Sequence, residues 1–80
     1  MEILVEVKGL RDETSLAILR ETYEYPHSEE YLSRKLDIPL SSCRKKIKTL
    51  LSLGLLGEEM RVYNVKGECI SFYRSKVRPQ

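Results

Sequence analysis

The run Ser28–Leu56, SEEYLSRKLDIPLSSCRKKIKTLLSLGLL, constrains this chain more than any other. Ser28 is a good helix N-cap, and Glu29 and Glu30 suit the positive end of a helix dipole. A short helix is therefore expected from Glu29 to Leu36, burying Tyr31, Leu32 and Leu36. Asp37-Ile38-Pro39 must then turn, because proline cannot continue the first helix yet is well suited to begin the next. The second helix is expected over Leu40–Leu53, with Gly54 just past its end. Leu40, Cys43, Ile47, Leu50 and Leu51 stack on one side, and Ser41, Arg44, Lys45, Lys48, Thr49 and Ser52 lie on or beside the other. Between Ser41 and Thr49 this helix carries Arg44, Lys45, Lys46 and Lys48 and no acid. Its shape and charge suit a DNA major groove.

The flanking pattern is simpler. Residues 2–7 alternate as a strand, with Ile3, Val5 and Val7 on one face, and Gly9 ends it. Asp12 or Thr14 can cap a helix to about Tyr23 whose apolar side is Leu16, Ile18, Leu19 and Tyr23; Pro26 stops it. Leu56–Val65 and Cys69–Lys76 read as strands joined at Lys66-Gly67, with Ile70 and Phe72 inward and Ser71 and Tyr73 outward. Residues 75–80 read as a frayed basic tail.

Eighty residues, 41% hydrophobic and 32% charged, fit one domain whose core is too small to enclose a cofactor and a catalytic cleft together. The apolar runs Ile3–Val5 and Leu50–Leu56 are far short of a membrane span. The start Met-Glu-Ile-Leu-Val lacks signal-peptide features, so a cytoplasmic location is expected, or the host cytoplasm for a viral protein. Net charge is only +2, but residues 1–30 carry −5 and residues 31–80 carry +7. Such segregation suggests one face for a polyanion and another turned away from it.

Enzymatic chemistry finds little support. His27 belongs to no nucleophile or acid–base motif, and Glu29-Glu30 and Glu58-Glu59 are sequence neighbours that point apart. No cofactor, metal or small-molecule effector is expected, since there is no Gly-rich phosphate loop and no CxxC. Asn64 and Gln80 are the chain's single Asn and Gln, amid many Lys, Arg and Glu. That bias is seen in hyperthermophiles, whose intracellular proteins can carry disulfides. A Cys43–Cys69 bridge thus stays open beside the simpler reading of Cys43 as a small buried residue.

The whole succession resembles a winged helix-turn-helix domain: an α+β fold of three helices and a β-hairpin wing, here with an extra N-terminal strand. The resemblance covers residues 12–76, with residues 1–9 as the added strand and 77–80 as tail. It is carried by Leu16 and Leu19, by Ser28-x-x-x-Leu32-Ser33-x-x-Leu36-x-Ile38-Pro39-x-Ser41, by Ile47-x-x-Leu50, and by Gly54-Leu55-Leu56. The nearest groups are small archaeal and archaeal-virus regulators and the ArsR- and MarR-like repressors. The ArsR metal-sensing cysteine motif and a long C-terminal dimerisation helix are both absent from this sequence.

The resemblance implies that the helix beginning at Leu40 enters the major groove of double-stranded DNA. Ser41, Ser42, Arg44, Lys45, Lys46, Lys48 and Thr49 would contact it there, with Arg61 and Lys66 on the wing. Arg44 is the best base reader, because its planar fork can bond guanine O6 and N7 together. The lysines suit phosphates. Arg74 is an alternative to Arg61 as a backbone clamp. Tyr63 and Tyr73 could stack on a base, although sheet packing is the simpler role. A protein-interaction module of the same fold, or an RNA-binding protein, are the alternatives.

One such domain buries only about 600–1,000 Å² on DNA, so a homodimer is expected, on a near-palindrome with half-sites about 10 bp apart or a multiple of that. Residues 3–7 are one candidate interface. Sedimentation at high micromolar concentration should show a dimer, and monomer alone would remove this expectation.

Overall fold

Capping side chains set where the first two helices begin, and a proline opens the third. The computed structural model describes residues 12–79. Asp12 caps α1 (Glu13–Tyr23), accepting from the Thr14 amide at 3.3 Å and the Ser15 hydroxyl at 2.9 Å. After Pro26 a two-residue strand, β1 (His27–Ser28), runs straight into α2 (Glu29–Leu36). Ser28 caps α2 by accepting from the Tyr31 amide at 3.2 Å.

The turn between α2 and α3 (Leu40–Ser52) is tightly specified. Asp37 closes α2 in the left-handed region at φ 55°, a conformation Asp tolerates better than most residues. The Ile38 amide reaches back to the Ser33 carbonyl at 3.0 Å, and the Ser33 hydroxyl donates to the Ile38 carbonyl at 2.6 Å. At the far end of α3, Gly54 takes φ 75°. Its amide bonds the Leu51 carbonyl at 3.1 Å, and the Leu55 amide bonds that of Leu50 at 3.0 Å. This paired closure is a Schellman motif, and it aims Leu55 into the core.

The hairpin β2 (Leu56–Tyr63) and β3 (Cys69–Ser75) follows, giving an antiparallel sheet in the order β1-β3-β2. Glu59 is the extra residue of a bulge, since Glu58 faces Tyr73 while Met60 faces Phe72. Asn64 organises the tip, its side-chain oxygen accepting from the Lys66 and Glu68 amides at 2.9 Å each. Gly67 supplies the positive φ of 82° the turn requires. The molecule is therefore α+β, with three helices and a three-stranded sheet.

The core draws on nearly every element. Ile18 and Leu19 come from α1, Leu32 from α2, and Cys43, Ile47 and Leu50 from α3. Leu55, Leu56 and Val77 complete it. No helix among the described residues is long and apolar enough to cross a membrane.

Several expectations need correction. Leu51 is 37% exposed, not core, because at about 100° per residue it sits at the rim of the Cys43–Ile47–Leu50 stripe. Burial does not alternate along β3, where Ile70 to Ser75 are all half-buried, and the side that meets the core is the reverse of the one expected. Tyr73 packs on the core, while Ile70 and Phe72 lie half-buried opposite Val62 and Met60. The aliphatic–aromatic pattern marks two faces without saying which the helices cover. Residues 75–79 are no frayed tail, since Val77 is buried and the Lys76 amide bonds the Leu55 carbonyl at 2.9 Å. Cys43 is buried and Cys69 exposed, and both are free thiols. α3 ends one residue early, at Ser52, and β2 and β3 stop at Tyr63 and Ser75. The strand expected at residues 2–7 lies outside the described residues.

Leu50→Ala should cost about 3 kcal/mol in urea unfolding, as a fully buried leucine does. Leu51→Ala should cost less than about 1 kcal/mol. Equal costs would place Leu51 in the core after all.

Candidate nucleic-acid interface

α3 is sunk into the fold by Cys43, Ile47 and Leu50, which turns Ser41, Ser42, Lys45, Lys48 and Thr49 outward into solvent. Pro39 offers α3 no side-chain cap, so the amides of its first turn remain open toward solvent-side acceptors. The Thr49 hydroxyl donates back to the Lys45 carbonyl at 3.1 Å, leaving its oxygen to act outward as an acceptor.

The cations expected at the interface do not share one environment. Arg44 lies on the flank of α3 beside α2, where its Nε donates to Glu29 Oε1 at 2.7 Å. That hydrogen bond favours the charged guanidinium and raises its pKa further. Lys46 lies on the other flank and pairs with Asp12, the cap of α1. It thus ties α3 to α1 at the base of the outer face. Lys45 and Lys48 are exposed and have no carboxylate partner among the described residues. They are the free positive charge of this helix.

Between α3 and β3 runs an open groove of about 370 Å³, walled by Ile47, Leu51 and Tyr73 and rimmed by Glu29, Arg44, Lys45 and Lys48. Burial there pushes the Tyr73 phenol pKa up. On the hairpin, Arg61 stands opposite Ser71, on the same side as Tyr73 and therefore toward α3. Its Nε donates to Glu58 Oε2 at 2.6 Å. This contact draws the Glu58 carboxyl below its ordinary pKa. Lys66 is exposed at the tip with no carboxylate partner among the described residues.

Arg74 sits on the opposite side of the sheet from Arg61. Its Nε donates to the Tyr23 carbonyl at 3.2 Å and its Nη1 lies 3.5 Å from Glu59. It buttresses α1 and is turned away from the α3 groove. Tyr63 is exposed at the end of β2, and Tyr73 serves packing.

The parts that sequence reasoning did not anticipate are the acidic partners. Asp12 and Glu29 read as helix-end residues, and nothing in the local pattern links them to Lys46 and Arg44, 34 and 15 residues away.

Folding lowers the Asp12 pKa below 3.8, chiefly through the hydrogen bond from Lys46. The carboxylate's contribution is therefore present above that value and is lost as pH falls through the lowered pKa. Asp12→Asn keeps a good cap and removes the charge. Its thermal stability should fall by roughly 0.5 kcal/mol at pH 7 in low salt and match wild type near pH 2. A gap that persists at pH 2 would assign the effect to the cap alone.

No protein-family model matches the chain, and no curated protein matches it either.

Proposed function

We propose that this is a winged helix-turn-helix protein that binds double-stranded DNA in a sequence-specific manner and regulates transcription. The reading is carried by α3, a thirteen-residue helix anchored by one apolar stripe and presenting Lys45 and Lys48 unneutralised on the opposite face. An α-helix with side chains is about 10–12 Å across, the width of the B-DNA major groove. The open first-turn amides of α3, with Ser41 and Ser42, suit phosphate oxygens at the groove edge. Lys45 and Lys48 neutralise backbone charge, and Arg44 offers the fork that reads a base. The hairpin, with Arg61 on its α3 side and Lys66 at its tip, acts as the wing along the neighbouring backbone.

A second reading draws on the groove beside α3. Its walls of Ile47, Leu51 and Tyr73 under a cationic rim would also accept an acidic, amphipathic segment of another protein.

Fluorescence anisotropy decides between them, using duplex DNA from the protein's own promoter and a scrambled duplex at two salt concentrations. Preferential promoter binding that falls steeply with salt supports the DNA reading. Lys48→Ala should then weaken binding to both duplexes and reduce the salt slope by about one. Arg44→Ala should cost about 1–3 kcal/mol of discrimination at one base pair. No binding to either duplex at low salt would overturn the DNA reading in favour of protein docking.

A further inference from the structure

We infer that Glu29 is a specificity-determining positioning residue: its carboxylate holds the Arg44 guanidinium by Nε and keeps that cation for a base edge instead of a phosphate. The inference rests on the DNA-binding reading above and adds to it the residue that separates base reading from charge neutralisation on α3.

An ion pair between exposed side chains usually signifies little, because two long chains lose freedom for a screened attraction. This one is built in. Glu29 is the first residue of α2, and Ser28 before it both caps α2 and pairs with Phe72 of β3. The Glu29 carbonyl accepts from the Cys43 thiol at 3.6 Å, and Cys43, fully buried, directly precedes Arg44. Two adjacent residues of α3 thus meet the same residue of α2, one through its backbone and one through its side chain. The exposures follow the same division, with the Glu29 side chain 23% accessible and that of Arg44 57%. The carboxylate is set back while the tip of the arginine projects.

The hydrogen-bond inventory gives this arrangement a consequence. A guanidinium has five N–H groups, one on Nε and two on each terminal nitrogen. With Nε engaged, the end-on edge formed by Nη1 and Nη2 stays available, and it can bond guanine O6 and N7 together. While the pair holds, the arginine has less rotamer freedom left to lose on binding. Electrostatics act in the same direction. Glu29 cancels most of the long-range attraction between Arg44 and phosphates, which Lys45 and Lys48 retain because no carboxylate faces them among the described residues. Arg44 then contributes little on random DNA and gains fully only where a base edge fits it.

The test compares wild type, Glu29→Ala, Glu29→Gln, Arg44→Ala and the Glu29→Ala/Arg44→Ala double variant. Each is titrated with a preferred duplex selected from a randomised pool, with every single-base-pair variant of that duplex, and with random duplex over a salt series. Circular dichroism melts confirm folding, and the isosteric Glu29→Gln serves if the alanine variant does not fold.

Glu29→Ala is expected to bind random duplex several-fold tighter, with a salt slope steeper by about one, as the released arginine joins the phosphate contacts. Discrimination at one base pair should fall about tenfold, at the same position that Arg44→Ala affects. The double variant should lose the gain in slope. A purely structural role for Glu29 would lower the melting temperature without moving the base profile or the slope.

Wild-type discrimination and slope in both Glu29 variants would overturn the inference while leaving DNA binding intact. Salt-dependent wild-type binding without base preference would do the same. Absence of any wild-type binding would overturn the DNA reading itself, and this inference with it.

Discussion

The buried stripe of Cys43, Ile47 and Leu50 on α3 is the constraint on which the rest of the structure depends. α1, α2 and the segment entering β2 each place their apolar residues against the cluster that contains it. A helix seated by so narrow a stripe has its rotation fixed, and that rotation decides which cations face solvent. A register change of one residue would turn the helix by about 100° and drive Arg44 or Lys46 toward the core, at a desolvation cost of several kcal/mol. The outer face of α3 is thus defined by what its inner face buries. Both closures reinforce that seating: the Asp37 turn before α3 and the Gly54 turn after it fix where the chain enters and leaves.

Features set by neighbouring residues were legible in the sequence. Asp12 and Ser28 cap their helices, Pro39 opens α3 and Gly54 closes it, and each acts within a few residues of itself. The turn expected at Lys66-Gly67 is equally local, with Gly67 supplying its positive φ, whereas the bonds that Asn64 accepts there were not anticipated. What needed the folded chain was any choice settled by distant partners. The two faces of β3 are visible in its sequence, but which of them turns inward depends on Tyr73 packing against the core cluster. The strand at His27–Ser28 is too short to carry a period and exists because β3 offers it an edge. The fastening of residues 75–79 depends on the Leu55 carbonyl and on Arg78 lying 5.9 Å from the Tyr23 ring centre.

The candidate interface divides in the same way. Lys45, Lys48 and Lys66 were identifiable as exposed cations because amphipathic spacing and turn chemistry suffice for that. The partners of Arg44 and Lys46 were not, since salt bridges between elements leave no local pattern. Sequence charge also misled on one point. Two acids of the acidic stretch 1–30, Asp12 and Glu29, fold directly against α3, so among the described residues the charges are less separated in space than along the chain.

That folding changes what the positive charge can do. If every basic side chain on α3 were free, the helix would attract any polyanion with similar strength, and affinity would carry little information. Glu29 already serves α2 as an acid in its first turn, where it complements the helix dipole. Its pairing with Arg44 gives the same carboxylate a second contact, which under the proposed DNA-binding reading removes one cation from the non-specific total. Asp12 does the equivalent for Lys46, at the junction with α1. Under the proposed reading, the lysines of this face would supply general attraction and the paired arginine would supply choice. The basic character of α3 is thereby divided by position, through acids that the caps of two other helices bring to it.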